Sequence, residues 1–128
     1  MAEFQTGSGV VEVADADFGR EVLGAREPVL VSFGATWCAP CAALAPVLEG
    51  LARHYQGAVK VAHVDVARGH AVAQQYGIRS LPTLLLFVGG RVVEQIGGAV
   101  PRARLDASLR RVLECASARG TGPQPAAL

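Results

Sequence analysis

Residues 37–41 of this 128-residue chain read Trp-Cys-Ala-Pro-Cys. Two thiols separated by two residues can close a disulfide with little backbone adjustment. Pro40 between them limits the conformations open to the turn. The preceding run, Pro28-Val-Leu-Val-Ser-Phe33, is apolar and β-branched like a strand, and Cys41 to Tyr55 has helical periodicity. Cys38 therefore stands where a strand ends and a helix begins. There the unpaired N–H groups and the positive end of the helix dipole favour a thiolate. A thiolate is the species that attacks disulfides. The spacing points to a redox dithiol. Half of a zinc site would need two more ligands at a plausible spacing. The third cysteine, Cys115, is remote, and His54, His63 and His70 form no ligand motif with it, so no metal is expected.

The elements that must position this pair are legible around it. Val10–Val13 is a short strand candidate. Asp15 and Asp17 precede Phe18, Val22 and Leu23, which suits a capped amphipathic helix ending near Gly24. Val29–Phe33 is a near-continuous apolar run, as in a strand covered on both faces. After the thiols, Leu44, Val47, Leu48, Leu51 and Tyr55 fall on one helical face. Pro46 interrupts that pattern and predicts a kink, and Gly57 closes it. Val59–Val66 is the next strand, and Gly69–Tyr76 a short helix stopped by Gly77. Thr83–Val88 and Val92–Ile96 flank Gly89-Gly90-Arg91, a hairpin pattern and hence an antiparallel pair. Leu105, Leu109, Val112, Leu113 and Ala116 line a last helix, with Cys115 a small half-buried filler on its flank. The order β-α-β-α-β-α-β-β-α implies an α/β fold with a mixed sheet and helices on both faces. Periodicity does not give the strand order.

Composition bounds the function. The length suits one domain with a real core. Residues 1–9 read as a flexible leader, 10–118 as the domain, and 119–128, rich in Gly and Pro, as a disordered tail. Half the residues are hydrophobic (51%), and the net charge of +1 arises from interspersed Lys/Arg and Asp/Glu. No basic block argues for nucleic acid or an anionic membrane. No apolar run approaches the ~20 residues that a membrane helix needs. The N-terminus has neither a basic start nor an apolar segment, so no signal peptide is expected. One close cysteine pair plus a distant third suits a reducing compartment, and the cytoplasm is expected.

From roughly Val10 to Ala118 the chain resembles the thioredoxin family, without obvious gaps. The matching segments are Phe33-Gly-Ala-Thr-Trp-Cys-Ala-Pro-Cys41, Ala45-Pro46-Val-Leu, Val64-Asp65-Val66, Tyr76-Gly-Ile-Arg79, Leu81-Pro82-Thr-Leu-Leu-Leu-Phe87 and Gly97-Gly-Ala99. Several separate motifs in order are far more specific than a lone pair of cysteines. The resemblance implies a thioredoxin-like three-layer sandwich. Its central mixed five-stranded sheet has the first three strands parallel and the last two antiparallel. It implies a cis bond before Pro82, facing the thiols. It makes Cys38 the exposed attacking thiol and Cys41 the more buried one that resolves the mixed disulfide, with Pro40 tuning the pair. Trp37, Leu81, Pro82 and Gly98 would form the client groove, an extended peptide bonding near Leu81 by strand addition.

Departures from the family pattern bear on the chemistry. Ser32 stands where the family usually has a buried aspartate, and His63 where it has a lysine. Gly34 replaces a tryptophan, Ala39 a glycine, and Ala42 a basic residue. The missing carboxylate removes the base usually assigned to the resolving thiol. His63 then has two readings. It is either a strand histidine satisfied by a neighbour, or it replaces the carboxylate by accepting a proton, directly or through Ser32 or water.

These features lead to the expectation of a monomeric protein-disulfide reductase working by dithiol–disulfide exchange, an electron carrier of cell redox homeostasis. The resemblance implies disulfide-containing clients, recharging by a flavin- and NADPH-dependent thioredoxin reductase, and no cofactor on the chain itself. The rivals are a dedicated electron donor to one client and a thiol-independent binding or chaperone module.

Overall fold

A computed structural model describes residues 7–120. Residues 1–6 of the expected leader and 121–128 of the expected tail lie outside the described residues. Five strands form one sheet in the order β1-β3-β2-β4-β5. They are β1 (Val11–Glu12), β2 (Val29–Gly34), β3 (Lys60–Asp65), β4 (Thr83–Val88) and β5 (Arg91–Gly97). β3 runs parallel to both β1 and β2, while β4 is antiparallel to β2 and to β5. This is the mixed sheet that the resemblance implied. Gly89 and Gly90 make the β4–β5 turn with φ of 61° and 81°, the left-handed pair that a two-residue hairpin demands.

Alternation along the central strands divides the core in two. Leu30, Val61, Leu84 and Leu86 face helices α1 (Ala39–His54) and α3 (Arg102–Gly120) through Leu44, Leu48, Leu51, Leu105 and Leu109. Val29, Val31, Phe33, Val64, Leu85 and Phe87 face the other way, against Phe18, Val22, Val72 and Ala73. On that second face Phe18, Tyr76 and Phe87 form a triangle of rings, with centroids 5.5 to 5.8 Å apart. Helices therefore cover both faces. α1 runs through Pro46 without ending. Its last turn is tied to α3 by the Tyr55 hydroxyl, which donates to Asp106 at 2.9 Å. Burial, aided by that carboxylate, pushes the Tyr55 phenol up.

The first helical segment departs from expectation. Instead of one capped α-helix there is a 3-10 turn (Asp15–Asp17) followed by a π-helical turn (Gly19–Leu23) that ends at Gly24. The reason lies in where the aspartates go. Asp17 accepts from the Ala14 N–H. Asp15 instead reaches α2 (His70–Gln75), its two oxygens accepting from the N–H groups of Val72 at 2.9 Å and Ala71 at 3.2 Å. α2 has no side-chain cap from its own N-cap residue, Gly69. Asp15 supplies one across more than fifty residues of chain. Asp15→Ala should therefore lower the unfolding free energy by about 0.5–2 kcal/mol, measured by urea denaturation. Asp15→Asn, which keeps an acceptor, should lose less; equal losses would show that acceptor geometry is not what holds α2.

Cys115 is another difference. It is exposed, because the stripe that Leu105 and Leu109 bury continues through Val112 and Leu113 and passes it by. No helix among the described residues is long and apolar enough to cross a membrane.

Candidate active site

β2 ends at Gly34, and the turn that follows delivers Cys38 to the N-cap of α1, with proline in its first turn. Pro40 is tolerated there because the first turn of a helix has no partner for the missing N–H. Cys38 and Cys41 are joined by a disulfide, their Cα atoms 5.3 Å apart. Within the pair the Cys41 N–H donates to Cys38 Sγ at 3.2 Å. That bond strengthens when the acceptor carries a negative charge. Ala35 packs with both cysteines, and Val66 and Leu81 close over them.

The expectation that Cys38 is exposed and Cys41 is buried is not met in this oxidised form. Their exposures are 6% and 8%. Leu81 and Val66 pack over both residues alike. An asymmetry survives in what each cysteine faces. A groove of about 660 Å³ runs beside the pair, and Cys38 lines it whereas Cys41 does not. Trp37, Pro40 and Leu81 also line it, with Trp37 77% exposed at its rim. A large aromatic side chain left in water beside a reactive pair is poorly explained as core filling.

The loops across from the pair are joined to each other. The Leu81–Pro82 bond is cis, as the resemblance implied, and the buried Pro82 accepts through its carbonyl from the Gly98 N–H at 2.9 Å. Gly98 is exposed with φ of +85°, a backbone state in which other residues are strained. Thr83 buttresses the same loop by donating its hydroxyl to the Ser80 carbonyl at 2.7 Å.

Beneath the pair, Ser32 and His63 are register partners on β2 and β3. Both are buried, on the sheet face that α1 covers. His63 Nδ1 lies 3.2 Å from Glu12 Oε1. Its other nitrogen, Nε2, and Cys41 Sγ both border the space above Gly34. A Cβ built there would stand 3.1 Å from the nitrogen and 3.2 Å from the sulfur.

The structure thus gathers Trp37, Cys38, Pro40 and Leu81 at the groove, Pro82 and Gly98 on the facing loops, and Ser32 and His63 under the second cysteine. Three residues that sequence reasoning did not single out stand at or beside the site. His70 and Arg79, which line the groove, arrive through α2 and the loop after it. Glu12 was invisible because a two-residue edge strand carries no register in its own pattern. Gly34 was noted as a departure from the family; its contacts show what that departure makes room for.

A family model described as "Thioredoxin" matches residues 9–111. The chain is 45% identical to thioredoxin 1 of a Nostoc species over 106 residues, which cover 83% of this chain and 99% of that one. It is 50% identical over 98 residues to thioredoxin C-2 of Corynebacterium nephridii, covering 77% and 91%. Thioredoxin 1 of Synechococcus elongatus is 46% identical over 101 residues, covering 79% and 94%.

Proposed function

The chain belongs to the thioredoxin family, and we propose that within it Cys38 is the attacking thiol and Cys41 the resolving one. The protein is a protein-disulfide oxidoreductase whose redox centre is the Cys38–Cys41 pair. The observation that carries the division of labour is the groove. Of the two cysteines only Cys38 lines it, and Cys38 also holds the N-cap of α1.

In the reaction, the Cys38 thiolate attacks one sulfur of a client disulfide. The other client sulfur leaves as a thiolate, and a mixed disulfide joins client to Cys38. Cys41, having lost its proton, attacks Cys38 Sγ. The second client sulfur departs as a thiolate, which solvent protonates. Two electrons have passed to the client, and the chain is left with the Cys38–Cys41 disulfide. The helix start supports the first thiolate through its dipole and the Cys41 N–H. His63, beside Cys41 across Gly34, accepts the proton that Cys41 must lose, with Ser32 its polar neighbour on β2. Trp37, Leu81, Pro82 and Gly98 hold the client segment, and Pro40 restrains the pair.

Disulfide-containing proteins are the substrates, and a thioredoxin reductase returns the pair to the dithiol. That reductase draws its electrons from NADPH through a flavin of its own. A monomer in the cytoplasm suffices, since groove and thiols lie on one chain and Cys115 is a free thiol. A single domain over residues 10–118 carries the activity. The test is NADPH consumption with a bacterial thioredoxin reductase and insulin as client. Wild type should sustain turnover and Cys38→Ser none. Turnover that survives in Cys38→Ser would overturn the assignment, and no turnover in wild type would exclude this route of recharging.

A further inference from the structure

A histidine that takes a proton while buried must be compensated for the charge that it acquires, because burial penalises the charged form. His63 is only 9% exposed. The compensation lies on the neighbouring strand. In the parallel register of β1 and β3, Glu12 is paired with His63, which in turn is paired with Ser32 on β2. Glu12, His63 and Ser32 therefore form one row across three strands, on one face of the sheet. Glu12 Oε1 lies 3.2 Å from Nδ1, while Nε2 and Cys41 Sγ border the same space above Gly34. Carboxylate, imidazole and the sulfur of Cys41 stand in sequence, from the edge of the sheet to its interior.

We propose that Glu12 is the positioning residue of the resolving step, accepting a hydrogen bond from His63 Nδ1–H so that Nε2 is the nitrogen that takes the Cys41 proton, and linking that buried pair to solvent. The inference rests on the reading of His63 as the proton acceptor and adds what makes that reading chemically workable. A neutral imidazole has one donor and one acceptor nitrogen. A carboxylate beside Nδ1 fixes the donor there and leaves the acceptor toward the thiol. When the proton moves, Cys41 becomes a thiolate, His63 an imidazolium, and Glu12 supplies the opposite charge at hydrogen-bond distance. Once Cys41 has attacked Cys38, its negative charge is gone and the imidazolium gives up its proton outward.

The exit is also visible. The Glu12 side chain is 48% exposed on an edge strand. It borders a small cleft of about 30 Å³ that Asp17, Asp65 and Arg68 also line, enough room for water. These are the charged groups, among the described residues, that share the cleft with Glu12. Asp17 is engaged with the Ala14 N–H and with Arg20, and Asp65 with the Ala67 N–H. Cys41 from α1 and Ser32 from β2 also stand beside His63. Gly34 is part of the same device, because an added methyl group would crowd nitrogen and sulfur alike.

The experiment uses the full chain and its single tryptophan, Trp37, as a fluorescence reporter beside the thiols. Reduced protein is mixed with excess client disulfide in a stopped flow. The concentration-dependent rate then reports attack by Cys38, and the saturating rate reports resolution by Cys41. At pH 6–7 His63→Ala should slow the saturating rate by up to about 100-fold, the low end for a positioned base. Glu12→Gln should slow it by about 5–10-fold, as befits one half-exposed charge-assisted hydrogen bond. Both deficits should close as pH rises past about 8.5, where a thiol ionises unaided. In the double variant Glu12→Gln should add nothing to His63→Ala. Nitrogen NMR of His63 should show the Nδ1–H tautomer in wild type and a mixture in Glu12→Gln. If His63→Ala is slow while Glu12→Gln matches wild type at every pH, Glu12 has no part in the step and the histidine keeps its role alone. If neither variant is slow, both readings fall. Additive losses in the double variant would also overturn the proposal, since Glu12 would then act other than through His63.

Discussion

Replacing Cys41 with serine is expected to leave the protein covalently joined to its clients. Attack by Cys38 survives in that variant, because the N-cap position, the dipole of α1 and the groove are untouched. What is lost is the second thiolate, and with it the only intramolecular route that breaks the mixed disulfide. Turnover should therefore fall to background while client–protein adducts accumulate. They would run as reducible high-mass bands on a non-reducing gel. Cys38→Ser should be equally inactive and trap almost nothing, because Cys41 does not line the groove. Both variants should fold, since serine replaces sulfur with a smaller atom at the start of a helix rather than in the main core. Equal trapping by both variants would overturn the order of the two thiols.

How far this site could be read from the chain depends on which interactions are local. The thiols, the strand before them and the helix after them are contiguous in sequence, so spacing and periodicity sufficed to place Cys38 at a helix start. β4, β5 and their Gly89–Gly90 turn were readable for the same reason. Strand order is not local and was not legible; the resemblance supplied only the strand directions, and the order β1-β3-β2-β4-β5 is seen in the folded chain. Asp15 illustrates the limit. Its position before an apolar run suggested a cap for the nearest helix, but its carboxylate caps α2, a partner that only the folded chain brings near. Glu12 is the stronger case. Nothing in Val10–Val13 points to His63, and the pairing exists because β3 lies between β1 and β2. The burial of Cys38 was misjudged because the residues that cover it are not its neighbours in sequence. Val66 and Leu81, which cover it, are brought there from after β3 and before β4.

Leu48→Ala should separate scaffold from chemistry. Leu48 lies in the main core, where α1 meets β2, β4 and α3, and is almost fully buried. Its truncation removes buried apolar surface and leaves a cavity that a sheet packed on both faces can close only in part. Such changes cost about 2–5 kcal/mol, against a total stability of about 5–15 kcal/mol for a domain. At about 4 °C per kcal/mol for a chain of this length, the melting midpoint should drop by roughly 8–20 °C. Disulfide reduction at 25 °C should stay close to wild type, because Leu48 is two helical turns beyond Cys41 and does not line the groove. The variant thus mirrors the cysteine changes, which remove the chemistry and keep the fold. Calorimetry beside the insulin assay measures both. A loss of less than 1 kcal/mol would mean that this face of α1 does not carry the core. A collapse of activity well below the melting transition would mean that the packing of α1 also sets the geometry of the thiols at its other end.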